Sequence, residues 1–185
     1  AAKAALMPLH GWLPAAMVAP APVSALLHAV AVVKAGVFTV LKVSAYIFGP
    51  DLISFLPAAT WILWVGAATI VIASLVAMKK DDLKARLAWS TVGQLAYITS
   101  AAMLPMASGL VAGGLHMVFH AVAKITLFMC AGAIYVATGA SRVSEMGGLG
   151  RRMPWVFTAF LVASLGIIGL PPMAAMWSKL LMMTA

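Results

Sequence analysis

Residues 57–78, PAATWILWVGAATIVIASLVAM, pass without one charged side chain. An α-helix needs about 20 predominantly apolar residues to cross a bilayer. Inside lipid, every backbone N–H and C=O has to find its partner within the protein, so such a run is a helix. Composition extends the point to the whole chain. Hydrophobic residues make up 64% and charged residues 9%, where a soluble domain carries about 25% charged. A surface that meets water cannot be built from that mixture, whereas a surface that meets lipid can. The expected class is all-α integral membrane, a single polytopic helix bundle over residues 1–185, a length with room for about six spans.

Several functions are excluded early. The one cysteine, Cys130, sits inside an apolar run, which rules out a disulfide framework, a multi-cysteine zinc site or an iron–sulfur cluster made by this chain alone. Nothing calls for a metal or another cofactor. The net charge of +8 would suit nucleic acid only if it formed a polar basic face. Here the basic residues divide between loops and spans, so nucleic acid is not an expected partner. The opening Ala1-Ala2-Lys3 and the closing Met183-Thr184-Ala185 both lie within apolar stretches. This suggests an internal piece of a longer polytopic protein.

Proline punctuates the rest. Pro8, Pro14, Pro20 and Pro22 forbid one regular helix between residues 8 and 22, because each removes a backbone donor and clashes with the preceding turn. A first long helix is expected at 22–46, a turn at Gly49-Pro50-Asp51 within a 47–56 loop, and the span 57–78. A polar loop follows at 79–86, then spans at about 87–104 and 109–137. A loop at 138–153 precedes a last span that starts near Pro154, breaks at Pro171-Pro172 and continues to Lys179. Loops 79–86 and 138–153 hold seven of the twelve Lys and Arg residues, and the 47–56 loop holds none. Two spans separate the basic loops, so they share a side, which the positive-inside rule makes the cytoplasmic one. The expected location is therefore the cytoplasmic membrane, multi-pass.

The spans also contain charges that hydrocarbon penalises. A lysine at a helix centre costs about 2.5–3.5 kcal/mol on insertion scales. Lys34, Lys124 and Lys179 lie in spans, with Lys3 beside the first break, while Lys42 is near enough to a helix end to snorkel. The four acidic residues, Asp51, Asp81, Asp82 and Glu145, all fall in loops, so the span lysines have no carboxylate in this chain to pair with. Lysine and histidine can lose and regain a proton once desolvated, which makes a proton relay the natural reading. His116, His120 and Lys124 recur every four residues and so share one helix face, about 12 Å long. His28 and Lys34 are six apart, so either a π-bulge aligns them or they serve different neighbours. Broken backbone at membrane depth flanks ion paths in transporters, and each break here has a lysine close by. Trp12, Trp61, Trp64, Trp155 and Trp177 fit interface anchoring or packing.

The blocks MPLHGWLPAAMVAPAPVSALLHAVAVVKAGVF (7–38), DDLKARLAWSTVGQLAYI (81–98), HMVFHAVAKITLFMCAGAIY (116–135) and GRRMPWVFTAFLVASLGIIGLPP (150–172) resemble, in order, those of a known family. They are similar to the antiporter-like subunits shared by NADH–quinone oxidoreductase, Mrp-type cation/proton antiporters and membrane-bound hydrogenases. The KITLF and RRMPW runs are most similar to the D-type subunit of Mrp antiporters.

This resemblance implies an inverted-repeat fold with two proline-broken helices, at Pro8/Pro14 and Pro171/Pro172. The chain would supply the end of the first repeat and most of the second. It further implies a relay of Lys3, His28, Lys34, His116, His120, Lys124 and Lys179, the path running Lys3–His28/Lys34–Lys124–Lys179 with the two α-helical histidines bridging. Lys3 would pair with a glutamate upstream of residue 1. Other subunits of a multisubunit membrane complex, the lipid bilayer, protons, and sodium or potassium are the implied partners. The run Met173-Ala174-Ala175-Met176-Trp177 and the residues Leu180-Leu181-Met182 depart from the family pattern. The implied function is proton translocation in a cation/proton antiporter. The same relay in a quinone oxidoreductase or hydrogenase is the same-fold alternative, and a membrane-embedded quinone enzyme or a structural scaffold the alternative of another class.

Overall fold

The structure is a computed structural model that describes residues 2–27 and 31–185. Its helices are, in chain order, α1 (Trp12–Ala15), α2 (Ala21–Ala25), α3 (Val32–Val43), α4 (Gly49–Phe55), α5 (Pro57–Lys79), α6 (Leu83–Ala101), α7 (Ala107–Thr138), α8 (Leu149–Arg152), α9 (Pro154–Ile168) and α10 (Ala174–Met183). Among the described residues no strand forms. Among the described residues three segments are long and apolar enough to cross a membrane: Val32–Phe55, Pro57–Lys79 and Ala107–Thr138. The all-α membrane class and the multi-pass reading follow directly.

The local chemistry accounts for most boundaries. Pro57 and Pro154 sit in the first turns of α5 and α9, where the missing donor has no intrahelical partner to lose. Asp82 caps α6, its Oδ1 accepting from the Ala85 N–H at 2.7 Å, which satisfies one of the donors that every helix start leaves open. Gly169 ends α9 at φ +83°, a left-handed position that costs a glycine nothing. The Pro171-Pro172 pair then occupies the gap before α10, so this broken helix lies where the sequence puts it. The first break also holds, as a Pro8 turn followed by α1, which contains Pro14, and a 3-10 turn at Ala16–Val18.

Four expectations need correction. The single helix expected at 22–46 is instead divided into α2 and α3. The Ala31 N–H bonds the Leu26 carbonyl at 2.9 Å, a reach of five residues that marks a widened π turn. His28, for which the sequence allows a π-bulge that would align it with Lys34, lies outside the described residues. Secondly, the 47–56 loop is mostly helical. A second π turn at Ser44–Phe48 leads into α4, whose start is reset by Gly49 and Pro50 and favoured by Asp51 in its first turn. Thirdly, the polar loop ends at Asp82, because the cap there starts α6 at Leu83 rather than near 87. Finally, the 138–153 loop is partly ordered into a 3-10 turn at Val143–Met146 and α8.

The two basic loops meet. Leu83 N–H donates to the Ser141 carbonyl at 3.0 Å and Val143 N–H to the Asp81 carbonyl at 2.9 Å. The side chain of Asp81 accepts from the Ser144 hydroxyl at 2.7 Å and from the Ser144 N–H at 3.1 Å. Both loops are therefore at one end of the bundle, as their charge suggested, and the α4 end of α5 is opposite. The core divides into two clusters, one around Leu13, Val33, Val37 and Ile98, the other around Leu87, Leu127 and Phe128. α6 and α7 run past both, and the polar residues lie between them.

Candidate functional site

α7 carries the three titratable residues expected on one face, and all three are buried: His116 is 1% exposed, His120 2% and Lys124 0%. The fourfold spacing delivers them to the same side because a helix turns once in 3.6 residues. α3 brings Lys34, 7% exposed, and its Nζ lies 2.6 Å from His120 Nδ1. The rings of His120 and His116 stack one turn apart, with centroids 6.3 Å apart and 17° between planes.

His116 then reaches two other helices. Its Nε2 is 2.9 Å from Gln94 Oε1 on α6, and its Nδ1 is 2.9 Å from Ser178 Oγ on α10. The residue after Ser178 is Lys179, whose Nζ donates to the carbonyls of Ile167 and Ile168 at 3.0 and 2.9 Å. Those carbonyls are at the end of α9, where no following turn supplies donors. The broken helix thus creates the acceptors that hold its own lysine. Lys179 Nζ also sits over the Tyr97 ring, 5.6 Å from its centroid, a cation–π contact. That ring is 6.0 Å from His116. A groove of about 560 Å³ opens beside Lys179, lined also by Thr60, Trp64, Tyr97 and Ser100.

Lys124 turns the other way. Its Nζ donates to the Leu87 carbonyl on α6 at 2.9 Å, and the Thr91 hydroxyl donates to the same carbonyl at 2.8 Å. Lys34 and His120 are thus joined by a hydrogen bond, His120 and His116 by ring stacking and His116 and Ser178 by a hydrogen bond. Lys179 follows Ser178 in the chain, and Lys124 lies one turn beyond His120 on the loop-ward side. The resemblance implied a path Lys3–His28/Lys34–Lys124–Lys179 bridged by His116 and His120, and the structure puts His120 beside Lys34 and His116 beside Ser178.

Lys3 is exposed and outside these contacts, on the short turn Ala2–Ala4. It still approaches α3, because a Cβ on Gly36 would fall 2.6 Å from the Lys3 backbone carbon, so only glycine lets that turn pack there. Lys42 is exposed, with its Nζ 5.4 Å above the Phe38 ring, as a snorkelling lysine would be. Trp61, Trp64, Trp155 and Trp177 are 60–86% exposed, and Trp12 donates to the Ala2 carbonyl at 2.9 Å. Gln94, Tyr97 and Ser178 were missed from the sequence as site residues. The signal was available, since Gln94 is a long amide inside a span, but a single polar residue gives no partner until α6 and α10 are placed.

The residues 1–185 match the family model described as NADH:quinone oxidoreductase/Mrp antiporter, transmembrane region. The chain belongs to this family. Among its relatives is NAD(P)H-quinone oxidoreductase chain 5 of Picosynechococcus sp., 39% identical over 188 residues that cover 96% of this chain and 27% of that protein. The chloroplastic subunit 5 of Adiantum capillus-veneris is 40% identical over 189 residues, 96% of this chain and 25% of that one. The chain thus spans about a quarter of the length of these relatives. Of the solved structures, the Mrp complex from Dietzia sp. matches with a TM-score of 0.88 and 36% identity, over 98% of this chain and 20% of that one. The membrane-bound sulfane sulfur reductase, an archaeal respiratory membrane complex, matches with a TM-score of 0.83 and 28% identity, over 97% and 36%. The antiporter-like family fold therefore holds for nearly the whole chain.

Proposed function

We propose that this chain belongs to a proton-translocating subunit of a multisubunit cation/proton antiporter of the Mrp type, set in a cytoplasmic membrane with its two basic loops inside. The observation that carries the reading is the buried line of bases. Four titratable residues, Lys34, His116, His120 and Lys124, are each at most 7% exposed, while the four carboxylates of the chain lie in the segments at the two ends of the bundle. Burying an ammonium such as Lys34 or Lys124 is costly, and burial is the environment in which lysine and histidine give up and regain protons, which supports an exchange role over a purely structural one. Protons would pass from Lys34 through His120 and His116 to Lys179, and Lys124 would set the charge state of the line from its seat on the Leu87 carbonyl. Lys3 and His28 would feed Lys34 from the first broken helix. Sodium or potassium would be the exchanged ion.

The identities of 39% and 40% to chain 5 of NAD(P)H-quinone oxidoreductases favour a second reading, in which the same relay serves a redox-driven pump. Proton uptake driven by a sodium or potassium gradient alone supports the antiporter. Uptake that requires a reduced nicotinamide and a quinone supports the pump. Under either, Lys124→Ala in the full-length protein is expected to assemble normally and abolish pH-gradient formation in membrane vesicles. An undiminished gradient would remove Lys124 from the relay.

A further inference from the structure

We infer that Gln94 and Ser178 are positioning residues that decide which nitrogen of His116 exchanges the proton: Gln94 keeps a hydrogen on Nε2, and Nδ1, facing Ser178, is the exchanging site. This rests on the relay reading above. A carbonyl oxygen only accepts hydrogen bonds, and Gln94 Oε1 is 2.9 Å from Nε2. Nε2 therefore carries a hydrogen whether the ring is neutral or charged. Nδ1 faces a hydroxyl, which can either donate or accept. Ser178 Oγ is 2.9 Å from Nδ1 and also 3.0 Å from the Ala175 carbonyl. One hydroxyl hydrogen is thus offered two acceptors.

Each protonation state of His116 selects one of them. With the ring neutral, Ser178 donates to Nδ1. When the protonated Lys34–His120 pair gives up an N–H bond, a new N–H bond forms at Nδ1 and donates to Ser178 Oγ, and the serine hydrogen turns to the Ala175 carbonyl. Release breaks that Nδ1–H bond as the proton passes to the neutral amine of Lys179, and the hydroxyl returns to Nδ1. The serine switch uses heavy-atom contacts already in place, and Ser178 is fully buried, at 0% exposure.

The surroundings leave this assignment uncontested. The ring lies near Tyr97 on α6, whose own ring carries Lys179 of α10, and near the stacked His120 on its own helix, with Lys34 of α3 bonded to His120. Every charged group in that set is basic, so no carboxylate competes for the Nε2 hydrogen. The arrangement also gives the relay a direction in space. The held nitrogen points to α6, and the exchanging one points to α10, beside Lys179.

The test uses the full-length protein in its complex, reconstituted in liposomes with 15N-histidine and followed by solid-state NMR. The His116 resonances are assigned by their loss in His116→Asn. The neutral wild-type ring is expected to carry its hydrogen on Nε2. Gln94→Glu keeps an acceptor and should keep that tautomer. Gln94→Leu removes it, so the Nδ1–H tautomer should appear and transport should fall about tenfold, the scale of one hydrogen bond to a charged group. Ser178→Ala, a smaller side chain that the site accommodates, should retain the Nε2 hydrogen yet lose transport to a similar degree. An Nδ1–H tautomer in the wild type, or an unchanged tautomer in Gln94→Leu, overturns the positioning role and leaves the relay standing. Normal transport in His116→Asn, with the tautomers as expected, overturns the relay through His116 and leaves the hydrogen assignment intact.

Discussion

α5 and α7 both cross the bundle and both pack on α6, yet they solve different problems. α5 buries only Ala59, Gly66, Thr69, Ala73 and Ala77 of its 23 residues. These are small residues at helical spacing, which let two backbones approach closely where lipid offers no hydrophobic drive. Most of the rest of α5 is apolar and exposed or half-buried, Trp61 and Trp64 at 72% and 70% exposure. α7 buries His116, His120 and Lys124 together with Leu127, Phe128 and Ile134. A span thus reports its surroundings by what it can tolerate. An uncharged span is solvated by lipid on most sides, and a charged face has to be covered by protein.

The contrast can be broken by moving the charge. Val71 is 57% exposed on α5, and Val71→Lys should cost about 2.5–3.5 kcal/mol of insertion, roughly two orders of magnitude in the inserted fraction. A glycosylation-reporter insertion assay on the full-length protein would measure it. Lys124→Leu in the same assay should insert at least as well as the wild type, since it removes a penalised group. Normal insertion of Val71→Lys would mean that protein or water covers this face, and the two helices would then not differ in kind.

The second prediction sharpens the role of the covered face. Lys179 is held by two α9 carbonyls and the Tyr97 ring, contacts that an arginine could also make. Arginine keeps the charge but does not give up a proton in proteins. Lys179→Arg should therefore fold and insert while transport in vesicles falls about tenfold or more, the usual contribution of a positioned proton carrier being about 10²–10⁴-fold. Near-normal transport would make Lys179 an electrostatic post and move the exit elsewhere.

How much of this was legible in the sequence depends on whether the cause is local. The uncharged run of α5, the shared face of His116, His120 and Lys124, and the Pro171-Pro172 break each follow from residues a few positions apart, and each is where the residues put it. The placement of the two basic loops at one end followed from counting spans. What could not be read depends on packing across the chain. Nothing in the sequence ties Lys34 to His120, 86 positions away, or gives His116 its partners on α6 and α10. The division of the 22–46 segment and the helix at 49–55 were not legible for a different reason. Both turn on backbone choices that apolar residues leave open, since Leu26 and Ala31 have no side-chain hydrogen bond to fix a register.

The smallest expected effect lies where the two basic loops meet, at the loop end shared by α5 and α7. The Asp81 carboxyl is held below the usual carboxylate range, first by the Ser144 hydroxyl and then by the Ser144 N–H, with lesser help from Arg142 and Arg86 against a small opposing desolvation. A carboxyl whose folded value lies below its unfolded one stabilises the fold above its ordinary range near 3.9, and this support drains away as pH falls through the folded value. Acidification below about 4 should therefore loosen the loop pair before it disturbs the helices. Because Asp81 is exposed, solvent screens the interaction and the change should be slight. Hydrogen exchange at the amides of Leu83, Val143 and Ser144 would follow it. Those amides should lose protection at low pH in the wild type, and in Asp81→Asn they should be less protected already at neutral pH, with little further change on acidification. If the protection of Val143 and Ser144 in the wild type is unchanged down to pH values well below 4, the backbone pairing of residues 81–83 with 141–143 holds the loops without the carboxylate. The charge at this end of the bundle would then matter only for which side of the membrane it faces.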